Sequence, residues 1–306
     1  MSAQFIAEQL LHGLGYGLML FLMAAGLTLV FGIMDTLNLS HGSLFMLGAY
    51  LSATVHQYTD SFVTSIVVAI VGTIAVAALL EAALIRRLYS ASHLVQVVAT
   101  MGVIYVADDL VMMIWGEAPV MASTPAELGG PIYLMADWPY PAYRFLVLGA
   151  GLSVAALLYF LVNHSRLGML VRAGASDRQM AELMGLRVKR IFMLVFAMGA
   201  ALAGLAGSLM GPITAVQVGM GESIMIPALA VIVIGGIGSI RGALIAAVLV
   251  GVVEALGKAF GPYLLTTWFS AATTADVLPA VTSMLMFVLM IAVLMFKPRG
   301  LFPAHG

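Results

Sequence analysis

Three places in this chain carry side chains that could do chemistry. Ser40-His41-Gly42-Ser43 sets hydroxyls beside an imidazole, the residue types of a nucleophile and its base. No acid stands where it would orient the histidine, so enzymatic chemistry is not the expectation and no catalytic residue is assigned. Asp108 and Asp109 are adjacent acids in a long apolar run. A carboxylate there marks a cation or proton site, or the point where a helix nears the interface. Glu254 and Lys258 stand at the (i, i+4) spacing of a helical surface ion pair. No Gly-x-x-x-x-Gly-Lys-[Ser/Thr] run occurs, and Gly257-Lys258-Ala259 lacks both the first glycine and the hydroxyl, so nucleotide binding by that route is not expected. Cysteine is absent, which leaves no disulfide and no thiolate metal site.

Membrane helices must position these residues. Of 306 residues 62% are hydrophobic and 9% charged, with a mean hydropathy of +1.09. That composition excludes an ordinary soluble domain and predicts an all-α, polytopic transmembrane helical bundle. Fourteen acids against 13 bases leave no overall field to attract nucleic acid. The amino end, MSAQFIAEQLLHG, lacks the basic start and cleavage pattern of a secretory signal, so the first apolar run is read as retained. Apolar runs long enough to approach a bilayer span fall at about 10–33, 39–56, 62–85, 94–115, 143–162, 191–211, 223–240, 243–260 and 278–296. That gives eight to nine segments, some broken or short, in one domain over 1–306.

The longest polar break, 163–190, holds Arg166, Arg172, Arg178, Arg187, Lys189 and Arg190. If it faces the cytoplasm together with Arg86, Arg87, Arg241, Lys297 and Arg299, that side carries eleven bases and only Arg144 and Lys258 remain outside. The positive-inside rule then places the amino terminus outside and the carboxyl terminus in the cytoplasm. Within the break, Ser176-Asp177-Arg178-Gln179 fits a capping box. Met180, Leu183 and Met184 recur at helical spacing beside Glu182, and Gly185 is placed as a left-handed cap. So short a helix does not hold itself together in water and needs a groove to dock in.

Two irregular runs interrupt the apolar segments. The first holds Asn38, Ser40, His41, Gly42 and Ser43, and the second Gly235, Gly236, Gly238 and Ser239. Each is either a plain turn between helices or an unwound segment bordering a translocation path, because non-helical backbone at membrane depth must be buried or line a cavity. Their similar surroundings suggest an internal repeat of the kind found in transporters. Gly199, Ala203, Gly207 and Gly211 recur every fourth position and predict one closely packed helix face. Glu81 is expected to snorkel or pair locally, and Trp115 to anchor a helix end at the interface. The proline-rich stretch 117–144 reads as an external loop that forms a lid or meets a partner.

Three stretches resemble the membrane permease subunits of bacterial ATP-binding-cassette importers for branched-chain amino acids, the LivH type. They are Phe31-Gly32-Ile33-Met34 with Asn38 to Tyr50, Ala181-Glu182-Leu183-Met184-Gly185-Leu186, and Gly235 to Ala243. The resemblance implies the ABC importer permease fold in the bacterial inner membrane, with a coupling helix that fits a groove on an ATPase subunit. That role falls on Ser176 to Gly185. It further implies a second, LivM-like permease, two cytoplasmic ATPases that bind the ATP, and a periplasmic binding protein. No cofactor or metal is implied for this chain itself. Family members carry branched-chain amino acids, urea, short amides or aromatic acids. The alternative is an ion-coupled secondary carrier without ATPase subunits, titrating through His41 or Asp108.

Overall fold

Lipid offers no partner to a backbone N–H or C=O, so each apolar run closes its hydrogen bonds within a helix. A computed structural model describes residues 3–133, 138–176 and 178–302. The chain runs through α1 (Ala3–Met34), α2 (His41–Thr59) and α3 (Phe62–Leu80), which passes by a π-helical turn at Glu81–Ile85 into α4 (Arg86–Leu88). Then come α5 (His93–Trp115), the short strands β1 (Pro131–Tyr133) and β2 (Pro139–Pro141), and α6 (Ala142–His164). The polar break holds α7 (Arg166–Ser176) and α8 (Arg178–Leu183). The bundle closes with α9 (Val188–Met210), α10 (Met220–Gly235), α11 (Ile240–Leu265) and α12 (Ala271–Phe296).

Among the described residues seven helices, α1, α3 continued through α4, α5, α6, α9, α11 and α12, are long and apolar enough to cross a membrane. Every apolar run expected from sequence therefore holds a helix, but two of them fall short of a full span. α10 has 16 residues. α2 carries His41, Ser43, Ser52, Thr54 and His56. The chain is a multi-pass membrane protein.

α1 forms the centre, and every residue from Leu18 to Ala25 is at most 4% exposed. Gly13 and Gly17 let it meet α11 backbone to backbone: a Cβ on Gly17 would stand 2.6 Å from the Ala247 oxygen. α5 and α12 are mostly exposed and lie at the bundle's edge. Residues near the bases gather at one end. The Tyr89 and Phe192 rings meet at 5.3 Å, Arg241 reaches the Tyr159 hydroxyl at 3.2 Å, and the Leu301 and Phe302 N–H groups cap the Ile234 and Gly235 carbonyls. At the other end the Tyr143 hydroxyl donates to the Leu209 carbonyl at 2.8 Å.

Two side chains singled out by the sequence find their partners within the chain. Glu81 pairs locally, one of its two expected outcomes, and is fully buried. The π turn brings residues five apart into line, so Arg86 clamps its carboxylate at 2.7 and 3.2 Å while the Tyr89 hydroxyl donates at 2.6 Å. Trp115 points inward, donating from Nε1 to Thr54 Oγ1 at 2.7 Å and packing on Tyr50. Its indole N–H is satisfied by a half-buried hydroxyl of the same chain.

Candidate functional site

Residues 163–190 leave the bundle at α6 and re-enter at α9. Val171 of α7 and Ala181 of α8 are buried and fix the excursion to the bundle. α8 ends as its glycine demands. Gly185 has φ +85, its N–H bonds the Glu182 carbonyl at 3.0 Å, and the Leu186 N–H bonds the Ala181 carbonyl at 3.0 Å. These are the paired bonds of a Schellman closure, which favours glycine because a side chain is strained at positive φ. Of the stretch expected from Ser176 to Gly185, α8 holds Arg178–Leu183 and Gly185 closes it, while α7 ends at Ser176. Asp177 and the side chains of Ser176, Arg178 and Gln179 lie outside the described residues, and so does the capping box.

The outer face of α8 is apolar and uncovered. Met180, Leu183 and Met184 are 56, 82 and 78% exposed, and Arg187, Lys189 and Arg190 beside them are exposed as well. Bulky apolar groups set among bases are a patch that a partner surface would bury.

The run Thr36 to Ser43 shows the opposite arrangement. Thr36, Asn38, Ser40 and His41 are at most 1% exposed. Its backbone is irregular up to Ser40, and side chains of α5 satisfy it. Gln96 Oε1 accepts from the Leu37 N–H at 3.0 Å, and Thr100 Oγ1 from the Leu39 N–H at 3.3 Å. Gln96 also donates from Nε2 to the Leu88 and Ala91 carbonyls, fastening the turn after α4 to the same point. Asn38 Oδ1 accepts from the Ser40 hydroxyl at 2.6 Å and from its N–H at 3.1 Å. Buried in protein, irregular backbone at this depth is tolerated.

His41 sits between α1 and α9. A Cβ on Gly26 would come 2.8 Å from its Nε2, and one on Gly199 would come 3.4 Å from Cε1. Gly42 lies directly against Gly221 at the start of α10. Among the described residues, Asn38 Nδ2, His41 Nε2, Ser43 Oγ and Thr28 Oγ1 are buried with no hydrogen-bond partner. The hydroxyls and the imidazole are not arranged as a nucleophile and base: Ser40 bonds Asn38, and Ser43 bonds nothing.

The second run is a tight turn packed on backbone. Gly236 has φ +101 and lies within 3 Å of the Phe302 carbonyl, measured from where its Cβ would be. Gly235 opposes Gly242, Gly238 opposes Gly32, and Ser239 Oγ caps α11 by accepting from the Gly242 N–H at 3.1 Å. Of the α9 stripe, Gly199 faces Gly26, Gly207 touches the Phe45 carbonyl, Gly211 approaches Val216, and Ala203 is fully buried.

Sequence reasoning passed over Gln96, Thr100, Gly26 and Gly221. Gln96 and Thr100 stand four apart in an apolar run, and that polar pair on one helix face was the available signal. Asp108 is half-buried and close enough to Asp109, Glu222 and Tyr50 to interact electrostatically. Among the described residues no group of three or more His, Asp or Glu side chains could hold a metal ion.

Residues 9–294 match the family described as "branched-chain amino acid transport system / permease component". The chain is 29% identical to the high-affinity branched-chain amino acid transport system permease protein LivH of Salmonella typhimurium, over 98% of this chain and 97% of that protein. It is also 29% identical to BraD of Pseudomonas aeruginosa, over 96% and 94% of the two chains. Identity to a probable branched-chain amino acid transport permease protein LivH of Methanocaldococcus jannaschii is 26%, over 94% and 89%. No solved structure matches.

Proposed function

We propose that this chain, which belongs to the family of permease components of branched-chain amino acid transport systems, carries branched-chain amino acids or a related small solute inward across the bacterial inner membrane. It is a permease subunit of an ATP-binding-cassette importer, and α8 is its coupling helix. ATP is bound and hydrolysed by two cytoplasmic ATPases, a LivM-like permease pairs with this chain, and a periplasmic binding protein delivers the solute. The chain itself has no catalytic activity and no cofactor. It is one transmembrane domain over 1–306, with the carboxyl terminus and the 163–190 loop in the cytoplasm.

The observation that carries the reading is the uncovered apolar face of α8, with Leu183 and Met184 about four-fifths exposed at the basic end. The path is bordered by Asn38, Ser40, His41, Gly42 and Ser43. Its support is the set of buried polar atoms without partners, which a polar solute would satisfy as the bundle opens. Gly235, Gly236, Gly238 and Ser239 line the same path, and the Leu301 and Phe302 N–H groups bond the Ile234 and Gly235 carbonyls beside them.

The test is uptake and ATP hydrolysis by the reconstituted importer carrying Leu183→Asp with Met184→Asp. A carboxylate in a desolvated apolar groove is expected to lower solute-stimulated hydrolysis by about tenfold or more. Hydrolysis at the wild-type rate would refute the coupling role.

A further inference from the structure

α5 and α10 place three acids, Asp108, Asp109 and Glu222, at membrane depth. Asp108 lies seven residues, about 10 Å of helix, before the end of α5. Glu222 stands in the first turn of α10, where Gly221 packs on Gly42, so α10 starts at the depth at which α2 begins inside the bundle. Asp108 is close enough to both Asp109 and Glu222 to interact with them electrostatically. Asp109 and Glu222 are exposed on the chain's surface and Asp108 is half-buried. Among the described residues no base lies within ion-pair distance of any of the three.

Hydrocarbon does not accept an uncompensated carboxylate, so acids at this depth face the interior of a bundle or a water-filled space. These three lie at the surface of the chain, which makes that surface a wet one in the assembled transporter. A second observation, independent of the charges, leads to the same face. Tyr50 of α2 is 1% exposed, and its hydroxyl has no partner among the described residues. Its ring packs on Trp115 at 5.1 Å, and Asp108, Val111 and Trp115 recur at the spacing of one helix face, so the phenol is set against the side of α5 that carries Asp108. The Tyr50 hydroxyl is close enough to Asp108 to feel its charge. Ser43, seven residues earlier on the same face of α2, is likewise buried without a partner, and its backbone nitrogen is 3.2 Å from where a Cβ on Gly221 would stand. Unsatisfied hydroxyls thus run from the buried turn to the three acids, where water or a passing solute bonds them.

We propose that the face of α5 and α10 bearing Asp108, Asp109 and Glu222 lines the outer half of the translocation path and acts there as a charge filter, repelling solutes of net negative charge. Carboxylates of one sign between apolar walls focus their field into the opening they border. The inference rests on the transport reading, because it extends the path bordered by Asn38 to Ser43, and it adds which solutes are turned away.

The sequence holds no cysteine, so an introduced thiol is the only one in this chain. Ser223→Cys, exposed beside Glu222, is compared in the complete importer in nanodiscs with Val288→Cys on the exposed apolar face of α12. Each is treated with a methanethiosulfonate bearing a trimethylammonium or a sulfonate group, and labelling of this chain is followed by intact mass. The thiol at position 223 is expected to react about tenfold or more faster than the one at position 288. Its preference for the cationic reagent should exceed that of free cysteine by about tenfold, as two nearby carboxylates partly screened by salt would produce. Asp108→Asn with Glu222→Gln, added to Ser223→Cys, removes most of that preference. The proposal is overturned if Ser223→Cys reacts no faster than Val288→Cys, or if its preference equals that of free cysteine or survives the double neutralisation. Such a failure leaves the outcome for Leu183→Asp with Met184→Asp untouched, and that outcome decides the transport reading separately. Should thermal unfolding show that the neutralised variant does not fold, Glu222→Gln alone, at an exposed side chain, replaces it, with a few-fold loss of preference expected and an unchanged preference contradicting the filter.

Discussion

The turn at Asn38 to Ser43 and the helix α8 invert the ordinary distribution of polarity in opposite ways. The turn buries polar groups among membrane helices, and α8 exposes large apolar groups among bases. The difference lies in where each inversion is resolved. Gln96 and Thr100 bond the turn's backbone from within the same chain, and Gly26, Gly199 and Gly221 leave the space it occupies. Among the described side chains of α8, Ala181 is buried against the bundle, while Leu183, and Met184 just beyond the helix, are about four-fifths exposed. A buried polar segment whose backbone is bonded internally keeps its place in the bundle, while Asn38 Nδ2, His41 Nε2 and Ser43 Oγ remain without partners. An exposed apolar helix on a polar end is the kind of patch that a partner surface would bury.

This contrast can be broken from either side. The largest effect is expected for Leu183→Asp with Met184→Asp, which lowers coupled hydrolysis about tenfold or more while thermal unfolding of the isolated permease changes by less than about 0.5 kcal/mol, because neither side chain is packed. Gln96→Leu does the reverse. It strips the Leu37 N–H and the Leu88 and Ala91 carbonyls of their partner, and should destabilise the permease by about 3 kcal/mol in a thermal or denaturant assay. Gly42→Val forces α2 off α10, since a Cβ there would stand 2.5 Å from the Gly221 oxygen. A destabilisation of about 2 kcal/mol follows, and a compensating gain from small residues opposite is not available. The smallest effect belongs to Gly185→Ala, where a side chain at φ +85 costs about 1 kcal/mol. It frays the end of α8 and is expected to reduce coupled hydrolysis a few-fold without altering the melting of the bundle.

The helices were legible in the sequence because lipid makes hydropathy and length nearly sufficient to find a span. What composition could not supply is how deep a helix begins. α2 starts beside Gly26 and Gly199, in the middle of α1 and α9, so its irregular approach lies inside the bundle and not at a surface turn. The cap at Gly185 was legible since it depends on one residue's backbone freedom. The partners of the buried turn were not, since Gln96 and Thr100 stand about sixty residues away and nothing local marks them as neighbours. Local pairing of Glu81 was one of two expected outcomes, but a partner five residues on was not legible, since a π turn changes which residues align.

The docking of α8 is tested most directly by purification. The permease is expressed with the other components of its transport system, tagged, and extracted in mild detergent, as wild type and as Leu183→Asp with Met184→Asp. An ATPase subunit should accompany the wild type and be lost from the double variant, while the second permease stays with both. Recovery of the ATPase with the double variant at the wild-type ratio, or its absence from the wild type, would contradict the role assigned to this helix.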